Sequence, residues 1–206
     1  VFVLRQISFG DFVFLCVLLS FASPSFLSVE NLLNVLRQAS IMGIIAAGST
    51  FIIIGGGIDL SVGSVLALSA VIASSFATTN DTYPLIVAIF LGLLVGTACG
   101  VFNGIMISKF KIAPFIVTLA MMTIARGLAL VYTNGRPVIN LTEEYTIIGG
   151  GYVMGIPIPI IIFVAIMAIS IFILKFTKFG RYVYAVGGNE QAAIVSGVNV
   201  SLIKIV

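Results

Sequence analysis

The chain has 206 residues, of which 60% are hydrophobic and only 8% charged, and its mean hydropathy is +1.26. Globular domains carry about 25% charged residues, so this composition excludes a soluble core and indicates a multi-pass membrane protein. The formal charge of +3 is scattered without a basic run, which argues against a nucleic-acid partner. The chain also holds no histidine, the commonest general base and metal ligand, and that removes most enzyme chemistry.

Spans of about 20 mostly apolar residues are needed to cross a bilayer. In chain order the candidates are residues 11–27, 39–54, 58–79, 84–107, 114–132 and 156–174, with a seventh starting near 199. Pro84, Pro114, Pro157 and Pro159 stand at span starts, where a missing N–H costs little. The expected fold is therefore all-α, a polytopic transmembrane helical bundle of about six spans in a single domain over residues 1–206. The first residue is Val1, and Ser201 to Val206 begin a further apolar segment, so the chain reads as a piece of a longer polypeptide. Residues 11–27 are a poor secretory signal, since no small-residue cleavage site is followed by a soluble domain. Cys16 and Cys99 lie in apolar segments and read as small hydrophobes; neither a metal site nor a cofactor is expected.

Lysine and arginine placement sets orientation. If the spans alternate, Arg5, Lys109, Lys111, Lys175, Lys178 and Arg181 share one side, against Arg37 and Arg136 beside Glu30, Glu143 and Glu144 on the other. The bias predicts a cytoplasmic N-terminus and a cytoplasmic loop after Phe176. Arg126, near the end of span 5, either reaches the outer interface or pairs with an acid that the sequence does not identify. Thr133 to Gly155 reads as a long connection rich in turn signals.

Between spans 2 and 3 the chain runs Gly55-Gly56-Gly57-Ile58-Asp59-Leu60-Ser61-Val62-Gly63-Ser64. Three glycines in a row cost about 1 kcal/mol each in a helix interior, so this stretch is expected to break the helix, as a loop or a re-entrant feature. Asp59 is an ionisable residue in an apolar region, which points to a bundle interior or a water-filled path. Two readings stand: a cap accepting N–H bonds at the start of the next helix, or a direct substrate contact. Gly55, Gly56, Gly57, Asp59, Ser61 and Gly63 are the candidate translocation-path or helix-break residues. Catalysis is not expected. Gly56-Gly57-Ile58-Asp59 lacks the glycine that intramembrane aspartyl proteases place before the aspartate, Asp11 and Asp81 fall at span ends, and no phosphate-binding loop is present.

In span 4, Ala88, Gly92, Gly96, Gly100 and Gly104 recur every four residues, a stripe that lets helices approach closely in lipid. After span 6, residues 175–198 begin with Lys175, Lys178 and Arg181 and continue as a short amphipathic helix, with Asn189 as its cap and Gly197 as its stop. Such a segment suits docking into a partner's groove or lying on the lipid interface.

Together these blocks resemble the ribose-type sugar permeases of bacterial ABC transporters. The resemblance rests on Gly56 through Ser64, Asn103-Gly104, Pro114 through Leu119, Arg126-Gly127, and Phe179-Gly180-Arg181 through Gly187-Gly188-Asn189, Ala192-Ala193 and Ser196-Gly197. Gln191-Ala192-Ala193 with Gly197 is similar to the Glu-Ala-Ala…Gly motif by which ABC permeases contact their ATPases, with Gln191 in place of the glutamate and Glu190 beside it. The resemblance implies an inner-membrane importer of two permease subunits, a cytoplasmic ATP-binding subunit and a periplasmic sugar-binding protein. It implies coupling to the ATPase through Gly187, Gly188, Asn189, Glu190, Ala192, Ala193 and Gly197. Family members are longer, with further spans after this loop. Two other transport readings stay open. One is a permease for a nucleoside or sugar-like signal molecule, and the other is a secondary transporter in which Asp59 binds a proton or Na⁺.

Overall fold

The structure is a computed structural model that describes residues 2–80 and 83–206, with side chains from residue 9 onward. Val1 and Asp81 lie outside the described residues, as does the side chain of Arg5. The chain is built from ten helices and one short hairpin among the described residues: α1 (Phe2–Ala22), α2 (Val29–Ile54), α3 (Val62–Ser75), α4 (Leu85–Ser108), α5 (Pro114–Thr133), α6 (Glu143–Gly150), β1 (Tyr152–Val153), β2 (Ile156–Pro157), α7 (Ile158–Phe176), α8 (Lys178–Gly188), α9 (Glu190–Val195) and α10 (Val200–Ile205). Four of them, α2, α4, α5 and α7, are long and apolar enough to cross a membrane. The all-α polytopic bundle is thus observed.

Several elements differ from the sequence reading. Span 1, expected over 11–27, is α1, which ends at Ala22. Helix α2 begins at Val29, ten residues before the expected start at 39. Ser28 caps it, its Oγ accepting the Asn31 N–H at 3.3 Å, and the polar run Glu30, Asn31, Asn34, Arg37 and Gln38 hides these turns from a hydropathy count. Span 3, expected over 58–79, contracts to the 14 residues of α3. At 1.5 Å per residue that is about 21 Å, short of the roughly 30 Å hydrocarbon core. The segment after Phe176, expected as a loop leading to one short helix, contains a second helix, α8. Thr177 caps α8 by accepting the Gly180 N–H at 3.2 Å.

The prolines act as anticipated: Pro84 and Pro157 are the N-cap residues of α4 and α7, and Pro114 opens α5. Within the long connection after α5, α6 is followed by an antiparallel hairpin pairing Tyr152 with Pro157 and Val153 with Ile156. Its two-residue turn, Met154 (φ 52°) and Gly155 (φ 82°), has both residues in the left-handed region, the geometry that matches strand twist.

Helix α3 packs between α4 and α5, α2 packs on α7, and α10 lies against α4. The principal core joins Leu68 of α3 to Met121, Ala125 and Ala129 of α5, with Cys99 of α4 packed on it. Cys99 is therefore the small hydrophobe expected of it, and both cysteines are free. A second cluster, Val186, Ala193 and Val200, binds α8, α9 and α10 together. Elsewhere large apolar side chains face outward, among them Phe14, Phe90, Leu93 and Phe172, all more than half exposed; a contiguous apolar exterior of this kind belongs in lipid or against another subunit.

The bundle has two distinguishable ends. At one, the end of α2 meets the end of α8, and α10 meets the end of α4. At the other, the Thr79 N–H donates to Asn140 O and the Thr142 N–H to Ala77 O, both at 2.8 Å, joining the loop after α3 to the loop after α5. Near this second end the Arg37 guanidinium lies over the Tyr152 ring, 4.9 Å from its centroid.

Candidate functional site

Helix α2 stops because glycine takes over its last carbonyls. The Gly56 N–H donates to Ile53 O at 3.0 Å and the Gly57 N–H to Ile52 O at 2.8 Å, the paired bonds of a Schellman C-cap. That motif needs a left-handed residue, and Gly56 supplies it at φ 78°. Seven residues, 55–61, separate α2 from α3.

The chain then re-enters a helix through Asp59. Its Oδ1 accepts the Ser61 N–H at 2.7 Å and the Ser61 hydroxyl at 2.6 Å. Ser61 holds the N-cap position of α3, yet its own side chain caps nothing. The carboxylate therefore acts as an acceptor at the helix start, but on the cap residue rather than on the first-turn N–H groups, an Asx-turn arrangement. Ser61 is 1% exposed and Asn103 of α4 is 5% exposed. The Asn103 Nδ2 donates to Ser61 Oγ at 3.2 Å, so the chain Asn103–Ser61–Asp59 fixes the break to α4. The Asn103 Oδ1 is buried with no hydrogen-bond partner among the described residues.

The small-residue stripe on α4 meets two different helices. An alanine Cβ at Gly92 would stand 3.1 Å from Ala73 Cβ, and one at Gly96 would stand 3.4 Å from Ser69 Oγ, both on α3. One at Gly104 would approach Ile205 Cα of α10 to 2.6 Å, whereas Gly100 faces open space. Ala88, at the top of the stripe, is fully buried.

Residues 187–197 lie under the break. A side chain at Gly187 would collide with the Ile54 carbonyl oxygen, and Gly187 Cα sits 3.7 Å from where Gly56 would carry a Cβ. Glycine at both positions allows the backbones of α2 and α8 to touch. Asn189 then caps α9, accepting the Ala192 N–H at 2.9 Å. Gly197, at φ 81°, closes α9 with a second Schellman pair, the Gly197 N–H to Ile194 O at 2.9 Å and the Val198 N–H to Ala193 O at 3.0 Å. Ala193 faces inward, while Gly188, Gln191, Ala192, Ile194 and Val195 are exposed. Glu190 and Lys204 form an ion pair at 2.7 Å that ties α9 to α10.

Gly55–Ser61 and Gly187–Gly197 thus meet at one end of the bundle, while Gly63 points away from them into a groove that sequence reasoning missed. This cavity of about 540 Å³ runs between α3 and α5, from Leu60, Gly63 and Ser64 past Ala67, Val71, Met122, Arg126, Ala129, Leu130 and Thr133 to Arg136, Pro137 and Val138. The signal available in the sequence was Arg126 within an apolar span, facing small residues at helical spacing.

A family model described as branched-chain amino acid transport system / permease component matches residues 31–206. The ribose import permease protein of Haemophilus influenzae is 46% identical, covering 99% of this chain and 64% of that protein. The ribose import permease protein of Bacillus subtilis is 48% identical over 93% of this chain and 59% of its own length. The L-arabinose ABC transporter permease protein of Azospirillum brasilense is 39% identical over 94% and 57%. The chain therefore spans less than two thirds of the length of these curated relatives, and no solved structure matches it significantly. With a match running from α2 to the last residue, over every helix that builds the break and the segment beneath it, the chain belongs to the family of branched-chain amino acid transport system permease components, a family of transporters rather than enzymes.

Proposed function

We propose that this chain is part of the single transmembrane permease domain of an ABC importer that carries a monosaccharide, ribose foremost, across the bacterial inner membrane. ATP hydrolysis on a separate cytoplasmic subunit drives the transport, a periplasmic sugar-binding protein delivers the sugar, and a second permease subunit completes the path. The near-half identity to two ribose import permeases over almost the whole chain supports the substrate class. The observation that carries the mechanism is the contact of Gly187 with the end of α2. In this reading the exposed face of α9 docks on the ATPase, with Gly188, Asn189, Glu190, Ala192, Ala193 and Gly197 shaping that docking helix. Displacement of α9 reaches the break at Gly55–Ser61 through Gly187 directly, and through Glu190–Lys204, α10, Gly104 and Asn103 on α4. Asp59 fixes the start of α3 rather than gripping the sugar. The N-terminus and the loop after Phe176 lie in the cytoplasm.

A growth test decides the reading. In a cell lacking its own ribose permease, the full-length protein with its cognate ATPase and binding protein restores growth on low ribose, and inactivating the ATPase removes that growth. Growth that persists without the ATPase and collapses only with a protonophore sinks the proposal and supports ion-coupled transport.

A further inference from the structure

Arg126 occupies a position at which facing lipid is costly for a charged group. It stands about 18 Å along a helix of about 30 Å, within α5 (Pro114–Thr133), its side chain is exposed, and no carboxylate pairs with it among the described residues. A guanidinium at such depth faces a bundle interior or a water-filled cavity, and Arg126 opens into the groove between α3 and α5. Arg136 joins it at the outer mouth, Thr133 and Ser64 contribute hydroxyls, and no acidic residue lines the cavity among the described residues. The floor is the first turn of α3, where Gly63 leaves the space of a side chain free. The volume of about 540 Å³ is within the roughly 300–1,000 Å³ of small-molecule sites. Apolar walls alternate with donors, which suits a molecule with C–H faces and several acceptor oxygens.

We infer that this groove is the stretch of the sugar's path that this chain supplies, and that Arg126 holds the passing monosaccharide by donating its guanidinium fork to neighbouring hydroxyl oxygens. The inference rests on the transport reading above and adds to it the residue that contacts the substrate. The glycine break and the α9 segment lie at the end of the bundle below this groove, and Asp59 Oδ1 at the break is engaged by Ser61, which Asn103 holds.

The test uses the full-length permease with its ATPase and binding protein in proteoliposomes. Cys16, Cys99 and every cysteine outside these 206 residues are replaced by alanine, and Ala67, exposed in the groove wall, becomes cysteine. In a chain that still takes up D-ribose, Ala67→Cys is expected to react with a membrane-impermeant maleimide added from the binding-protein side, and D-ribose-loaded binding protein is expected to slow the reaction. Arg126→Leu is expected to lower the D-ribose uptake rate by about ten- to a hundredfold, the loss expected for hydrogen bonds to a charged group, with Arg126→Lys recovering part of it. A groove that stays unlabelled in an active chain, or an Arg126→Leu variant that transports at the parent rate, overturns the inference. Because the labelling arm keeps Arg126 intact, it tests the groove as the sugar's path even if Arg126→Leu fails to assemble, and Arg126→Lys then tests the guanidinium: a lysine variant that transports at the parent rate overturns the role of the fork. A parent protein without ATP-dependent uptake overturns the transport reading and the inference together.

Discussion

Replacing Gly104 with alanine tests how α10 is seated on α4. The new Cβ would lie 2.6 Å from Ile205 Cα and 2.8 Å from Lys204 O. Ordinary van der Waals contact begins near 3.4 Å, so the helices must separate by about 0.8 Å. Both obstacles are backbone atoms, so no rotamer change relieves them. Overpacking of this kind costs about 1–3 kcal/mol, offset in part by the roughly 1 kcal/mol that alanine gains over glycine in a helix. Gly100 provides the control, because it sits on the same helix and stripe with nothing within 4 Å and collects only the propensity gain. In the full-length protein, titration with sodium dodecyl sulfate in mixed micelles is expected to find Gly104→Ala less stable than Gly100→Ala by about 1–3 kcal/mol. Equal stabilities, within about 0.5 kcal/mol, would refute the close contact between α4 and α10.

Three further outcomes follow from the same geometry. Asp59→Asn keeps an acceptor for the Ser61 N–H and should cost about 1 kcal/mol, the difference between a charged and a neutral acceptor, with transport largely retained; Asp59→Leu should abolish it, and a transport-dead Asp59→Asn in a folded protein would require the charge itself. Ala192→Trp and Gly188→Phe alter exposed positions without crowding the bundle, so substrate-stimulated ATP hydrolysis is expected to disappear while membrane insertion is normal; intact stimulation would remove the docking role of α9. The Glu190–Lys204 pair is only partly buried, at 38% and 25% exposure, so Glu190→Gln should cost less than about 1 kcal/mol of stability, and the loss should shrink at high salt. A larger, salt-insensitive loss would mean that the pair is shielded from water.

Much of this architecture was readable from local chemistry. Apolar runs with proline at their starts located α4, α5 and α7, and Asn189 and Gly197 marked the limits of α9 because caps act within a few residues. The glycines of 55–57 announced a break for the same reason, since a Schellman closure needs its left-handed residue next to the helix it ends. What stayed hidden depended on partners distant in sequence. Asp59 looked like a cap, but Ser61 takes the cap position and Asn103, 42 residues on, pins it. The stripe on α4 read as one surface, yet Gly92 and Gly96 meet α3 while Gly104 meets α10; equal spacing does not say which neighbour fills each notch. Helix α8 was missed because Gly180 and the glycines at 187–188 weaken its propensity, and the packing of Val183 and Val186 overrides that weakness. The groove at Arg126 arises only when α3 and α5 are side by side.

In the proposed mechanism, ATP hydrolysed by another subunit drives a sugar through the permease. The most direct measurement is uptake of radiolabelled D-ribose into proteoliposomes holding the full-length protein and its ATPase, with sugar-loaded binding protein on the ATPase-free side. Accumulation is expected to require both ATP and the binding protein, to stop when the ATPase is inactivated, and to be untouched by a protonophore. Uptake that proceeds without ATP and collapses when the proton or sodium gradient is dissipated would contradict it.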